Sequence, residues 1–87
     1  MTIYELAEIY DKSIIIKYCP KRKPPFYAHL EKSDIKKDIG LLGEHGNGYT
    51  PNEAIRDYAK KIRGERIVFN GLSDKYREEF NVPEGLE

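Results

Sequence analysis

Gly48-Tyr49-Thr50-Pro51-Asn52-Glu53-Ala54-Ile55-Arg56-Asp57-Tyr58-Ala59-Lys60-Lys61-Ile62-Arg63-Gly64 sets the architecture, because every local signal in it agrees. Thr50 offers a side-chain oxygen to the free N–H groups at a helix start. Pro51 suits the first turn, where an N–H has no intrahelical partner, and Glu53 stands three residues after Thr50, the spacing of a reciprocal cap. Behind them Ala54, Ile55, Tyr58, Ala59 and Ile62 fall on one apolar stripe. Gly64 ends the helix, with Lys60, Lys61 and Arg63 near its negative pole. A helix with one apolar face needs a layer to cover it, and the flanking segments supply candidates.

Upstream, Ile14-Ile15-Ile16-Lys17-Tyr18 is a β-branched run stopped by Pro20, which cannot donate to a sheet ladder. After the charged turn Lys21-Arg22-Lys23 and Pro24-Pro25, the residues Phe26, Ala28 and Leu30 alternate with Tyr27, His29 and Glu31, the period of a half-buried strand. These two runs predict a hairpin. Ser33 to Asp38 fits a turn or a strand extension, and Ile39 to Glu44 predicts a third strand, weakened by Gly40 and Gly43. Gly43, Gly46 and Gly48 are expected to form the turn that delivers the chain into the helix. Downstream, Arg66-Ile67-Val68-Phe69 predicts a short strand ended by Asn70-Gly71. Ser73 could cap a last helical turn in which Leu72, Tyr76 and Phe80 recur at i+4, before a tail from about residue 82.

At the other end, Thr2 and Glu5 have capping-box spacing, with Ile3, Leu6, Ala7 and Tyr10 on one face of a helix over about residues 2–11. The order is α-β-β-β-α-β. It predicts one α+β domain over 1–87: a three-stranded antiparallel meander with a helix on one face, a short fourth strand and an extra N-terminal helix.

Composition narrows the function. Eighty-seven residues make one small domain with a thin core, which disfavours an elaborate enzyme. Fifteen Lys and Arg balance fifteen Asp and Glu, unlike a DNA-coating protein or an acidic DNA mimic. That neutrality is a sum of alternating blocks: −3 over residues 1–11, +6 over 12–37, −3 over 38–59, +3 over 60–73 and −3 over 74–87. A fold that joins the positive blocks would carry a basic face. The single Cys19 cannot form an internal disulfide, and the N-terminal residues lack the basic start and apolar run of a signal peptide, so a cytoplasmic location is expected. No apolar run exceeds three residues, as at Ile14-Ile15-Ile16, far short of a membrane span, so no membrane partner is expected.

No catalytic constellation emerges. His29 and His45 lie on different segments without metal-ligand spacing, and nothing places either beside Cys19 as a base. His45-Gly46-Asn47-Gly48 precedes a helix, yet no Gly-Lys-Ser or Gly-Lys-Thr follows, so a phosphate loop is not indicated. No cofactor is implied. The stretch from Lys17 to Tyr27 interleaves cations with rings, a pattern suited to phosphate contacts and base stacking and equally to a solvated hairpin. Candidate partner-binding residues are Lys17, Lys21, Arg22, Lys23, Tyr27, His29, Lys60, Lys61, Arg63 and Arg66.

Over about residues 14–69 the chain resembles the HicB-like antitoxin fold, which is related to a degraded ribonuclease H core. Gly48-Tyr49-Thr50-Pro51-Asn52-Glu53-Ala54 resembles the Gly-x-Thr-x-x-Glu-Ala helix start of that family, and Phe26-Tyr27-Ala28-His29-Leu30 its second strand. The chain departs from the family at Ser33 to Asp38, which lacks the usual Pro-Gly-Cys-type turn, and has too few residues after Asn70 for an appended DNA-binding domain. The resemblance implies a small non-catalytic protein-binding module: an inhibitor or accessory regulator that neutralises a toxin, or a phage or mobile-element product that blocks a host factor. A homodimer through an exposed strand edge is also compatible with such a sheet. The alternative is an RNA-binding or other nucleic-acid-binding domain using the basic 17–27 hairpin. The order α-β-β-β-α is similar to that of double-stranded RNA-binding domains, although Thr50-Pro51-Asn52-Glu53 is acidic where that family needs Lys.

Overall fold

All 87 residues are described by the computed structural model. In chain order the elements are α1 (Ile3–Tyr10), β1 (Ile14–Tyr18), β2 (Phe26–Leu30), β3 (Ser33–Lys37), β4 (Gly40–Leu42), β5 (Gly46–Gly48), α2 (Pro51–Ile62), β6 (Arg66–Phe69) and β7 (Glu78–Asn81). Two antiparallel sheets result, with strand orders β1-β2-β5 and β4-β3-β6-β7. The α+β class and the approximate order of elements agree with the sequence.

Both helix starts follow from their caps. Thr2 Oγ1 accepts from Glu5 N at 3.2 Å while Glu5 Oε1 accepts from Thr2 N at 3.1 Å, a complete capping box. In α2, Thr50 Oγ1 accepts from Glu53 N at 3.1 Å, but the expected reciprocal bond from Glu53 is not made, and Pro51 occupies the first turn. Gly64 follows α2 at φ 71°, a left-handed conformation that favours glycine. With one cap bond serving α2, Thr50→Ala is expected to cost about 1 kcal/mol, and Thr50→Ser to be nearly neutral. Urea denaturation of the two variants measures the difference.

The expected hairpin forms, with Ile14 opposite Leu30 and Tyr18 opposite Phe26. Alternation then turns Ala28 and Leu30 toward α2, where both are fully buried, together with Ala54, Tyr58 and Ile62. Each fully buried Leu, Ile or Phe side chain contributes about 1.5–3 kcal/mol. The second half of the core lies under α1. Tyr10 stacks on Phe80 at 4.2 Å and meets Phe69 edge-on at 5.6 Å, so the C-terminal end of α1 packs on the second sheet.

Four expectations are corrected. The three-stranded sheet is not a consecutive meander, because its third strand is β5 and the hairpin β3–β4 belongs to the other sheet. Lys32 makes the change of sheet: at φ 52° it breaks the extended run between β2 and β3, and its carbonyl accepts from Asn70 N at 3.0 Å. Gly46 and Gly48 do not form a turn. They are strand residues, and a Cβ at Gly46 would overlap Ala54 O and Tyr58 N, so their lack of side chains lets β5 lie directly against the α2 backbone.

The expected last helical turn is instead a turn followed by β7, which pairs with β6 because Phe80 fills the space over Tyr10 and Phe69. The segment from residue 82 is not a loose tail either. Val82 and Leu86 are buried, Val82 N donates to Glu65 O at 2.8 Å, and Glu87 N donates to Met1 O at 2.9 Å.

Candidate binding face of the first sheet

Because α2 covers one face of the β1-β2-β5 sheet, the alternate residues point the other way. Lys17 lies opposite Tyr27, Ile15 opposite His29, and Tyr27 opposite Asn47, so these five side chains share the face that no helix covers. Tyr27 and His29 sit with their ring planes 12° apart and their centres 6.4 Å apart. His45, just before β5, meets Tyr27 edge-on at 5.5 Å.

The loop between β1 and β2 sends Arg22 back over this face. Its guanidinium carbon lies 4.8 Å from the Tyr27 ring centre, within cation–π range. Arg22 Nη2 donates to Asn47 Oδ1 at 2.6 Å and approaches His45 Nε2 at 3.4 Å. Every one of these partners is neutral. Arg22 makes no salt bridge, and its Nε and Nη1 donors have no partner within the protein. A planar fork held on three sides with free donors is preorganised for a carboxylate or phosphate.

The neighbouring groups keep that arrangement. Asn47 N donates to Asp57 Oδ2 at 2.8 Å, and Lys61 Nζ pairs with the same oxygen at 3.0 Å. Burial alone would raise the Asp57 pKa, but the Asn47 amide and Lys61 outweigh it and hold the carboxyl below its usual range. Lys61 Nζ also donates to His45 O at 3.2 Å, which ties the segment before β5 to α2. His29 Nδ1 donates to Leu30 O at 2.8 Å, so its Nε2 is left without a protein partner.

His45 makes the face sensitive to pH. Burial, then the charges of Arg22 and Lys61, hold its pKa below the usual 6.5 against the opposing pull of Glu44. At neutral pH it is therefore uncharged and can accept from Arg22. Because the folded value lies below the unfolded one, its contribution to stability is complete above about pH 6.5 and declines as pH falls toward the folded pKa, where the unfolded chain binds the proton first. An NMR titration of the imidazole carbon-bound protons is expected to give His45 a midpoint under 6.5, and His45→Gln to flatten the loss of stability on acidification.

The sequence candidates divide among three places. Lys17, Arg22, Tyr27 and His29 share the uncovered face, with Lys61 at its edge, and Lys21 and Lys23 are exposed in the adjoining loop. Lys60 and Arg63 line a groove between α1 and α2 on the helical side. Arg66 belongs to the second sheet, where it donates to Glu79 at 3.3 Å and Asn81 at 3.1 Å. There Glu79 also collects Arg77 and Lys36, and these bonds, led by Arg77, lower its pKa. His45, Asn47 and Asp57 were not among the partner-binding candidates read from the sequence. Their only local signals are the lone polar side chain in Gly46-Asn47-Gly48 and the i,i+4 spacing of Asp57 and Lys61.

No group of three or more His, Cys, Asp or Glu residues is arranged to hold a metal ion, and no helix is long and apolar enough to cross a membrane. Comparison with protein-family models, with curated proteins and with solved structures yields no match.

Proposed function

We propose that this chain is a non-catalytic protein-binding module that docks an acidic segment of a partner on the uncovered face of the first sheet. Such a module would act as an inhibitor or accessory regulator, in the manner of an antitoxin that neutralises a toxin or of a phage or mobile-element product that blocks a host factor. Arg22 carries the proposal: it is fixed by Tyr27, Asn47 and His45, faces no carboxylate, and keeps two donor positions free. Lys17, Lys21 and Lys23 add positive potential around it and would steer an acidic partner toward the face. The resemblance to HicB-like antitoxins belongs to the same proposal.

One observation favours a second reading. The nearly parallel rings of Tyr27 and His29 beside cations could stack two bases of a single strand. Fluorescence polarisation at low salt separates the two, with a labelled glutamate-rich peptide and a labelled oligouridine as probes. Binding of the peptide that is lost in Arg22→Ala supports the protein-binding proposal. Binding of the oligouridine alone, with a steep salt dependence, replaces it with the nucleic-acid reading. Binding of neither probe contradicts both.

A further inference from the structure

The surface of α1 carries a second feature, independent of Arg22 and on the helical side of the molecule. Tyr4 is 55% exposed and stands as a ridge between two adjoining grooves, lining both. On one side is a groove of about 510 Å³ between α1 and α2, walled by Arg56, Lys60 and Arg63. Arg56 and Lys60 lie at i and i+4 on one face of α2, Arg63 is its C-cap residue, and none of the three pairs with a carboxylate. Glu87 is the one acidic residue there.

On the other side of Tyr4 is a groove of about 430 Å³ walled by Glu8, Asp11 and Glu31, with Lys12 as its one cation. Lys12 lies over the Phe69 ring and reaches Glu78 at 3.7 Å, and Glu8 and Asp11 make no salt bridge. Counting side chains, three cations against one carboxylate leave +2 in the first groove, and three carboxylates against one cation leave −2 in the second. Equal and opposite charges flank one exposed aromatic side chain.

We infer that this surface docks a second copy of the chain about a two-fold axis near Tyr4. A two-fold contact is self-complementary: whatever one copy offers on the left of the axis meets what the other offers on the right. Rotation about Tyr4 sets the basic groove of each copy over the acidic groove of its partner, so each charge pairing is formed twice. Tyr4 meets its own counterpart at the centre, where an amphipathic ring is the usual anchor of an interface. The alternating charge of the chain thus acquires a use, with the −3 block of residues 1–11 facing the cations of α2. This contact differs from pairing of strand edges and leaves the first sheet's uncovered face free for a partner.

Sedimentation equilibrium of the full chain tests it. The expected mass is twice 10.1 kDa at low salt, with dissociation as salt rises. Tyr4→Ala is expected to weaken the dimer at least about tenfold. Lys60→Glu and Glu8→Lys should each be monomeric alone, with circular dichroism confirming that both remain folded, and an equimolar mixture of the two should recover a heterodimer. A monomer at every concentration in low salt overturns the inference. So does a dimer that tolerates all three substitutions, which would point to strand-edge pairing instead. Arg22→Ala should stay dimeric, so failure of the sheet-face proposal and failure of this one are read separately.

Discussion

Gly46→Ala is expected to destabilise the protein by about 3 kcal/mol or more, beyond the usual range for an added methyl group in a packed core. The cause is the partner of the clash. A Cβ at Gly46 would overlap the Ala54 carbonyl oxygen and the Tyr58 nitrogen, and both are α2 backbone atoms, which cannot swing aside as a side-chain tip can. Relief requires β5 to leave α2, which would open the site over Ala54 and Tyr58 and break the pairing of Ala28 with Gly46. For a domain of this size 1 kcal/mol shifts Tm by roughly 4–8 °C, so a fall of at least about 12 °C is expected. Gly43→Ala is the matched control, since its nearest contact is Asp34 Oδ1 at an ordinary 3.8 Å. Differential scanning calorimetry of both variants checks the contrast, and equal Tm values would refute the close approach of β5 to α2.

Arg22→Ala is expected to remove the main anchor for an acidic partner while leaving the fold intact. The side chain rests on Tyr27 and bonds Asn47 and His45, all at the surface of the sheet, so its loss exposes no core. A central, oriented arginine is typically worth about 2 kcal/mol or more of binding, or roughly a 30-fold rise in Kd. Arg22→Lys should recover little of it, because an ammonium lacks the planar fork that Tyr27 and Asn47 hold in place. Asn47→Ala should weaken binding less than Arg22→Ala, since it loosens the arginine without removing its charge. Isothermal titration with a glutamate-rich peptide ranks the three, and an unchanged Kd in Arg22→Ala would refute the assignment of Arg22.

Much of the fold was legible where its determinants are local. The caps at Thr2 and Thr50, the stripe from Ala54 to Ile62 and the alternation in Phe26 to Leu30 each depend on neighbours within a few residues. What the sequence hid depends on distant ones. Gly46-Asn47-Gly48 has poor intrinsic strand preference and becomes a strand because α2 requires bare backbone there. Glu78 to Asn81 has little strand character either, and Phe80 places it by packing on Tyr10. The candidate site divides in the same way. Lys17, Arg22 and Tyr27 come from one hairpin and were visible together, whereas His45 and Asn47 join them only once β5 pairs with β2. The cations near the end of α2 read as one patch in sequence, but helical rotation of 100° per residue turns Lys61 toward β5 and Lys60 toward α1.

The most direct test of the binding face is a ¹⁵N NMR titration of the whole chain with an unlabelled glutamate-rich peptide, observing the arginine side-chain Nε–H signals as well as the backbone amides. The Arg22 Nε–H resonance is expected to move most, followed by the amides of Lys17, Tyr27, His29 and Asn47, with little change in the second sheet. Shifts confined to Arg66, Arg77 and their strands, with Arg22 unmoved, would contradict it.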